Sequence, residues 1–347
     1  MDAKEILLKI LKIDSPSKKE EELANFLFKE IRKYGFEAII EKDEVCNVVL
    51  GRSDFFIVTH MDTIRRQRKI KVNGEKIYGE GVSDAKASIT SILLFLKKAK
   101  KLNLSIAFLS DEEEDAKGSE FFLKKHKPKI AIIMEPTSLK FCNYHAGNIE
   151  ANFEIEGKES HGSFCDENAI DKFLQMANEI KSMKYWKKGL YFDSCISFQE
   201  IICQNPFYLN PGKCYGRIDA RILAEQDAHE ISNEIKNVII KYGKIEFKEI
   251  WNGFVMNDDE IISICKRAAE KSNIDFKLDG MPSWTDAIKF NEKGIKCIVF
   301  GPGNLKISHT KNEYTEIKEI EKAAKFLYML NEILTSFPEK NRYSYKL

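Results

Sequence analysis

Two histidines and several acidic residues stand where they could bind metal or move protons. His60-Met61-Asp62, Asp84, Glu112-Glu113, Glu135 and His309 supply imidazole and carboxylate groups, the ordinary ligands of zinc-type ions. A carboxylate shared between two such ions holds them ~3.5–4 Å apart, and a further carboxylate beside them can act as a general base. Taken one at a time, plainer readings stay open. Glu112-Glu113 belongs to an acidic run, Asp111 to Asp115, of the kind common in solvated turns. Glu135 before Pro136 could end a loop, and His309 could be a surface imidazole.

The elements that must carry these residues can be read from apolar spacing. Residues 2–12, 19–34, 85–100 and 118–126 have helical periodicity, with apolar positions three and four apart. Between them stand short apolar runs. Residues 54–59 lead into His60, 105–109 into Asp111-Glu112-Glu113, and 130–134 into Glu135. Continuous apolar runs between helices indicate strands covered on both faces, hence a mostly parallel α/β sheet. Ligands of such sheets gather beyond the carboxyl ends of strands, where these side chains fall.

The middle of the chain has a different pattern. Residues 148–156 alternate apolar and polar, as do 196–203 and 214–223, with helical stretches at 168–183 and 227–241. This predicts an inserted α+β domain, 148–252, with a half-solvated antiparallel sheet. The first pattern returns with helices at 258–272 and 316–335 and a buried strand, 296–300, that ends at Gly301-Pro302-Gly303. Residues 1–147 and 253–347 are thus expected to form one catalytic domain, with 338–347 frayed at its end.

Composition narrows the function. Of 347 residues, 43% are hydrophobic and 31% charged, with a net charge of +1. That balance fits a folded soluble protein and excludes the strongly basic character of nucleic-acid binders. No apolar stretch is long enough to span a membrane, and the charged start, Met1-Asp2-Ala3-Lys4-Glu5, does not read as a secretory signal. A cytoplasmic location is expected. The eight cysteines are irregularly spaced with no C-x-x-C pair, so each is expected to be a small buried residue without a disulfide.

Taken together, the motifs resemble the acetylornithine deacetylase, succinyl-diaminopimelate desuccinylase and aminoacylase-type metallohydrolases, which include glutamate carboxypeptidases. The matching pieces cover nearly the whole chain. They are Ser15-Pro16-Ser17, His60-Met61-Asp62-Thr63, 77–86 around Asp84, Asp111-Glu112-Glu113 with Gly118-Ser119, and Glu135-Pro136-Thr137. They continue with Gly157-Lys158 and His161-Gly162-Ser163, Asp219-Ala220-Arg221, Thr285-Asp286-Ala287, Gly301-Pro302-Gly303, and 309–314 from His309 to Tyr314.

The resemblance implies a zinc-hydrolase catalytic domain interrupted by a lid and dimerisation domain. It implies two divalent metal ions, zinc first, with cobalt or manganese as alternatives. His60 and Glu135 would hold one ion, Glu113 and His309 the other, and Asp84 would bridge them. Asp62 would fix the tautomer of His60, and Glu112 would be the general acid/base. His161, on the lid, would reach the partner subunit's site and stabilise an oxyanion, so a homodimer is expected. Gly301 and Gly303 would let backbone approach the substrate. Arg221 matches a family position, and Arg217 is a carboxylate clamp by chemistry alone. His126, His145 and His229 match no motif.

Some positions depart from the family pattern. Gly79-Glu80-Gly81 replaces a common Gly-Arg-Gly, Ala87 replaces a glycine, and Tyr208-Leu209-Asn210-Pro211 replaces Asn-x-Ile-Pro. The tyrosine takes the place of an asparagine that helps the substrate site. The short spacing from His60 to Asp84 resembles the subgroup that releases lysine or ornithine from an amino-group carrier protein. The expected reaction is hydrolysis of an N-acyl amino acid or carrier-linked lysine or ornithine. The alternatives are a carboxypeptidase or dipeptidase and, in another class, a non-catalytic binding protein of the same fold. A retained Glu112 argues against the last.

Overall fold

The computed structural model describes residues 2–64, 69–205 and 207–335. The polar segment 338–347, expected to fray, lies outside the described residues. The chain divides into two compact units. One comprises Met1–Asn143, Met256–Asp279 and Thr285–Leu347, and the other Tyr144–Val255 with Gly280–Trp284.

The first unit is built on four parallel strands, Ser105–Leu109, Phe55–His60, Ile130–Ile133 and Lys296–Val299, side by side in that order. An antiparallel hairpin, Ala38–Lys42 and Cys46–Leu50, extends the sheet past Ser105–Leu109. All residues of Phe55–His60 and Ser105–Leu109 are buried, as apolar runs covered on both faces require. Alternation along the strand sends Phe55 and Ile57 to one face, into a core shared with Ile6, Leu93, Cys265, Ile320 and Leu327. Those partners come from helices Ala3–Ile10, Lys86–Lys98, Asp259–Lys271 and Ile317–Leu334. Phe56 points the other way. Its ring meets Phe122 edge-on at 5.3 Å, and Phe122 stacks on Phe290 at 5.7 Å, joining helices Lys117–Lys125 and Ala287–Glu292 to the opposite face. A helix on each face leaves the strand ends as the open side of the sheet.

Local signals set the helix starts. Asp2 and Glu5 form a reciprocal capping box on the first helix, and Asp258 accepts the Ile261 N–H at the start of Asp259–Lys271. A small three-stranded sheet, Lys71–Asn73, Lys76–Tyr78 and Tyr314–Glu316, completes the unit. Its strands are only three residues each, too short for alternation to reveal them in the sequence.

The second unit is a four-stranded antiparallel sheet in the order Cys195–Ile202, Lys213–Ile222, Gly147–Glu156, Gly243–Trp251. Its inward residues, among them Ile149, Ala151, Ile155, Ile218 and Ala220, pack with Met176, Ile180, Ile231 and Ile235 from helices Ala169–Lys181 and Ala228–Ile239. Asn168 and Asp227 cap these helices through their side chains. The strand Gly243–Trp251 and the return segment Gly280–Trp284 were not anticipated from sequence.

The expectation for the cysteines needs correcting. Five are buried, but Cys165 and Cys195 are exposed and Cys203 is half-buried. Strand Cys195–Ile202 lies at a sheet edge with most of its residues exposed, and an edge strand cannot bury every small side chain it carries. Among the described residues, no helix is long and apolar enough to cross a membrane.

Candidate metal centre

Three parallel strands deliver four of the acidic and imidazole groups to one place. His60 closes Phe55–His60, Glu112 and Glu113 follow Ser105–Leu109, and Glu135 follows Ile130–Ile133. Asp84 stands two residues before helix Lys86–Lys98, after which the Asp84–Ala85 peptide is cis. His309 comes from the turn after Lys296–Val299, in the left-handed region at φ 61°.

Asp84 lies between the two imidazoles. Its Oδ1 is 3.0 Å from Nε2 of His60, and its Oδ2 is 3.5 Å from Nε2 of His309. Glu135 Oε2 is 3.8 Å from His60 Nε2, and Glu113 Oε1 is 2.9 Å from His309 Nε2. The residues therefore form two sets, His60 with Glu135 and His309 with Glu113, that share Asp84. Ligand atoms of His60, Asp84 and Glu113 all fall within 4.8 Å of one another.

The charge of this cluster fits divalent cations. His60, Asp62, Asp84, Glu112, Glu135 and Asp286 are all buried, and carboxylates outnumber the imidazoles. Burial, then mutual repulsion, holds Glu112 well above the usual carboxylate range and raises Glu113. Burial also pushes Glu135 up to about 8 and Asp286 up to about 6. Burial opposes a charged imidazole at His60, but Glu135, Glu112, Asp62 and Asp84 overcome it and hold His60 well above the histidine range. His309 likewise rises to about 9 against burial, chiefly through Glu113. A buried excess of oxygen donors with two imidazoles is the donor set expected of zinc-type ions, and such ions would offset the repulsion that raises these carboxyls.

The surroundings fix these side chains. Nδ1 of His60 lies 2.9 Å from the Asp62 carbonyl oxygen and 3.4 Å from Asp62 Oδ1. The nearer carbonyl accepts the ring N–H and leaves Nε2 facing Asp84 and Glu135. The Asp62 carboxylate also receives the Ser17 hydroxyl at 2.7 Å and the N–H groups of Glu112 and Glu113 at 3.1 and 3.0 Å. Although burial opposes it, these bonds and His60 hold Asp62 below the usual range.

Three buried charged residues support the site without having been singled out in the sequence. Glu313 Oε1 accepts the N–H groups of Ser83 at 2.9 Å and Asp84 at 3.3 Å, holding the backbone that carries Asp84. Glu20 Oε1 accepts the N–H of Asp111 at 2.9 Å, at the turn where φ of 62° aims Glu112 and Glu113. Burial, then the charge of Asp62, pushes Glu20 up to about 7. Lys86 donates to the Ile13 carbonyl at 2.8 Å, and burial takes it down to about 8. Glu313 and Lys86 had a sequence signal, their places in the matched runs 309–314 and 77–86, and Glu20 had none.

The remaining candidates sit elsewhere. Gly301 donates its N–H to Thr137 Oγ1 at 3.0 Å, and Gly303 donates to Glu319 Oε2 at 2.9 Å. Their backbone donors are thus used within the fold. A Cβ on Gly301 would stand 2.6 Å from the Glu135 carbonyl oxygen, so close packing beside a ligand explains that glycine. His161, Arg217 and Arg221 belong to the second unit. His161 is exposed on a two-residue pairing with Leu209–Asn210, and its Nδ1 accepts the Ser163 N–H at 3.2 Å. Arg221 donates to Asn148 and, at 2.5 Å, to Asp219. Arg217 is half-exposed, 4.0 Å from Glu150. His145 is buried and stacked on Phe254, and burial takes it down to about 4.

Known proteins are similar to this chain in sequence or in fold. A [LysW]-lysine/[LysW]-ornithine hydrolase of Saccharolobus islandicus is 27% identical over 94% of both chains. One of the same name from Sulfurisphaera tokodaii is 27% identical over 91% of both. Among solved structures, a tripeptidase of Staphylococcus aureus shares the fold with a TM-score of 0.80 at 16% identity, covering 96% of this chain and 97% of its own. An M20 family metallo-carboxypeptidase of Sulfolobus solfataricus shares it with a TM-score of 0.77 at 17% identity, over 96% and 99%. Residues 56–332 match peptidase family M20/M25/M40: the chain belongs to that family and is a metal-dependent amide hydrolase.

Proposed function

We propose that this chain hydrolyses the amide that holds a lysine or ornithine on an acyl or carrier-protein group, with two divalent ions in the cluster around Asp84. The observation that carries the reading is the place of Asp84, whose two oxygens face the two histidines separately. The substrate class is supported by the hydrolases of that name, which align over nearly their whole length.

In this reading His60 and Glu135 would hold one ion, Glu113 and His309 the other, and Asp84 would be shared between them. Zinc is the native metal, with cobalt or manganese able to replace it. Ions held there would supply Lewis acidity for the amide carbonyl and for the attacking water. Glu112 takes a proton from that water and passes it to the leaving nitrogen. Its burial beside the cluster keeps bulk water from competing for that proton. Asp62 holds His60 in the correct tautomer and ties down the turn that carries Glu112.

We place residues 148–252 as a lid and dimerisation domain of a cytoplasmic homodimer, with His161 stabilising the oxyanion in the partner subunit's site. Its exposure on a short two-stranded pairing supports that role. Arg217 suits a substrate carboxylate better than Arg221, whose guanidinium is engaged by Asp219 and Asn148. Gly301 and Gly303 shape the wall behind Glu135.

The test is an assay of the metal-loaded protein on carrier-linked lysine and ornithine, other N-acyl amino acids, and dipeptides, with a metal count per chain. Two ions per chain and preference for lysine or ornithine amides are expected. Preference for dipeptides would make it a peptidase, and fewer than two ions would sink the bridged arrangement.

A further inference from the structure

The strand Cys195–Ile202 has a bulge that changes which of its residues face the helices. Before the bulge, Ile196 and Phe198 lie opposite Ala220 and Ile218 and pack on the core of the second unit. The register then shifts between Phe198 and Glu200, so that Glu200 pairs with Arg217, Ile201 with Gly216 and Ile202 with Tyr215. One extra residue in a strand exchanges its two faces. Continued by one position past the end of the strand, this register would set Cys203 against Cys214, on the inward face.

The side chains agree with the register. The Cys203 thiol donates to the carbonyl of Lys213, the residue before Cys214, at 3.3 Å, and it packs against the core that holds Cys214. Cys214 is fully buried in the core of the unit, and Cys203 sits half-buried at its rim. Burial, then the neighbouring Cys203, pushes the Cys214 thiol up to about 12. Cys203 is therefore the thiol that solvent reaches, and Cys214 the one held behind it.

We propose that Cys203 and Cys214 are a peroxide-oxidisable dithiol that closes to a cross-strand disulfide. Hydrogen peroxide oxidises Cys203: its sulfur takes one oxygen, the O–O bond breaks, and water leaves. The Cys214 sulfur then attacks the sulfenic sulfur of Cys203. The S–S bond forms, the S–O bond breaks, and the departing hydroxyl takes the Cys214 proton as a second water. Directly opposed cysteines of antiparallel strands meet the backbone separation a disulfide needs.

The cross-link has a local consequence. The closed ring, Cys203 to Cys214, contains Leu209–Asn210, the strand that pairs with Ser160–His161. Asn205 donates to the Leu209 carbonyl at 2.8 Å within the same ring. Closing the ring fastens the strand on which His161 is laid.

The experiment treats full-length, metal-loaded protein with graded peroxide, then blocks free thiols and maps peptides without reduction. A Cys203–Cys214 linked peptide, lighter by the mass of two hydrogens and restored by dithiothreitol, is expected at doses that modify the exposed Cys165 and Cys195. Backbone hydrogen exchange at Leu209 and Asn210 should slow in the oxidised form. A Cys203→Ser variant, altered only at the rim of the core, should lose the linked peptide and the slowed exchange. Sulfinic or sulfonic acid at Cys203 with Cys214 still reduced would overturn the proposal. So would linkage of either thiol to a different cysteine, or unchanged exchange in linked protein.

Discussion

The backbone N–H of Glu112 donates to Oδ1 of Asp62 over 3.1 Å, joining two strand ends fifty residues apart in sequence. Because Asp62 Oδ2 takes the Glu113 N–H as well, one carboxylate orients both the proposed base and a proposed ligand. Asp62→Asn tests this link. An amide has one acceptor oxygen, so its NH2 would face one of those N–H groups. Turnover or metal affinity should fall about 10–100-fold with the fold retained by circular dichroism. Unaltered kinetics and metal titration would show that the turn holds itself.

Glu112 separates proton transfer from metal binding. Glu112→Gln keeps the shape and removes the charge, and the residue is not among the five proposed ligands. Turnover should fall by roughly 10²–10⁴-fold, while the metal count per chain stays as in the unaltered protein. Loss of metal together with activity would make Glu112 a ligand instead.

The buried charges predict how metal removal depends on pH. In the metal-free protein Glu112 and Glu113 are raised, Glu135 lies at about 8 and Asp286 at about 6. His60 is also raised, and His309 lies at about 9. A group whose folded pKa exceeds its unfolded value stabilises the fold below the unfolded pKa. That stability is lost as pH rises through the folded pKa. All six act in this direction between about pH 5 and pH 9. The lowered Asp62 and Asp84 act in the opposite sense, but only near and below their unfolded pKa of 3.8. Chelator-treated protein should therefore lose thermal stability as pH rises across that window. The gap in Tm between metal-loaded and metal-free protein should widen, by about 2–4 °C per kcal/mol in mid-sized domains. Scanning calorimetry of both forms at several pH values checks it, and a constant gap would contradict the charge account.

The strand ends were legible in sequence because the parallel strands are apolar throughout and stop abruptly at His60, Asp111 and Glu135. A change from apolar to ionisable residues at that point has few other causes. The burial of the supporting charges was not legible. Glu20 and Lys86 stand at helix starts, where acidic and basic residues usually face water, yet both are buried. Nothing local marks a charge whose partner is a backbone group of a distant segment, as Lys86 finds at Ile13. The bulge in Cys195–Ile202 was hidden for a related reason. An extra residue on a half-exposed edge strand blurs the alternation that would reveal it. Glycine in 301–303 was noticed, but its reason lies in packing that only three dimensions supply.

Gly303 gives that reason a test. Its φ is 97°, and a Cβ there would stand 2.3 Å from Ser83 Oγ and 3.2 Å from the Ser83 carbonyl oxygen. Ser83 Oγ accepts the Asn304 N–H at 2.9 Å, and the Ser83 backbone runs directly into Asp84. Gly303→Ala must either move the 301–304 turn or displace Ser83, in addition to holding a non-glycine residue at strongly positive φ, at a cost of about 1–3 kcal/mol. Displacing Ser83 also disturbs the N–H that Glu313 receives from it. Denaturant unfolding should report the loss of stability, and metal titration of the folded variant should show weaker uptake than in the unaltered protein. Full stability with impaired turnover on the preferred amide would instead place Gly303 against substrate, because only a contact made with the ligand present would then have been lost.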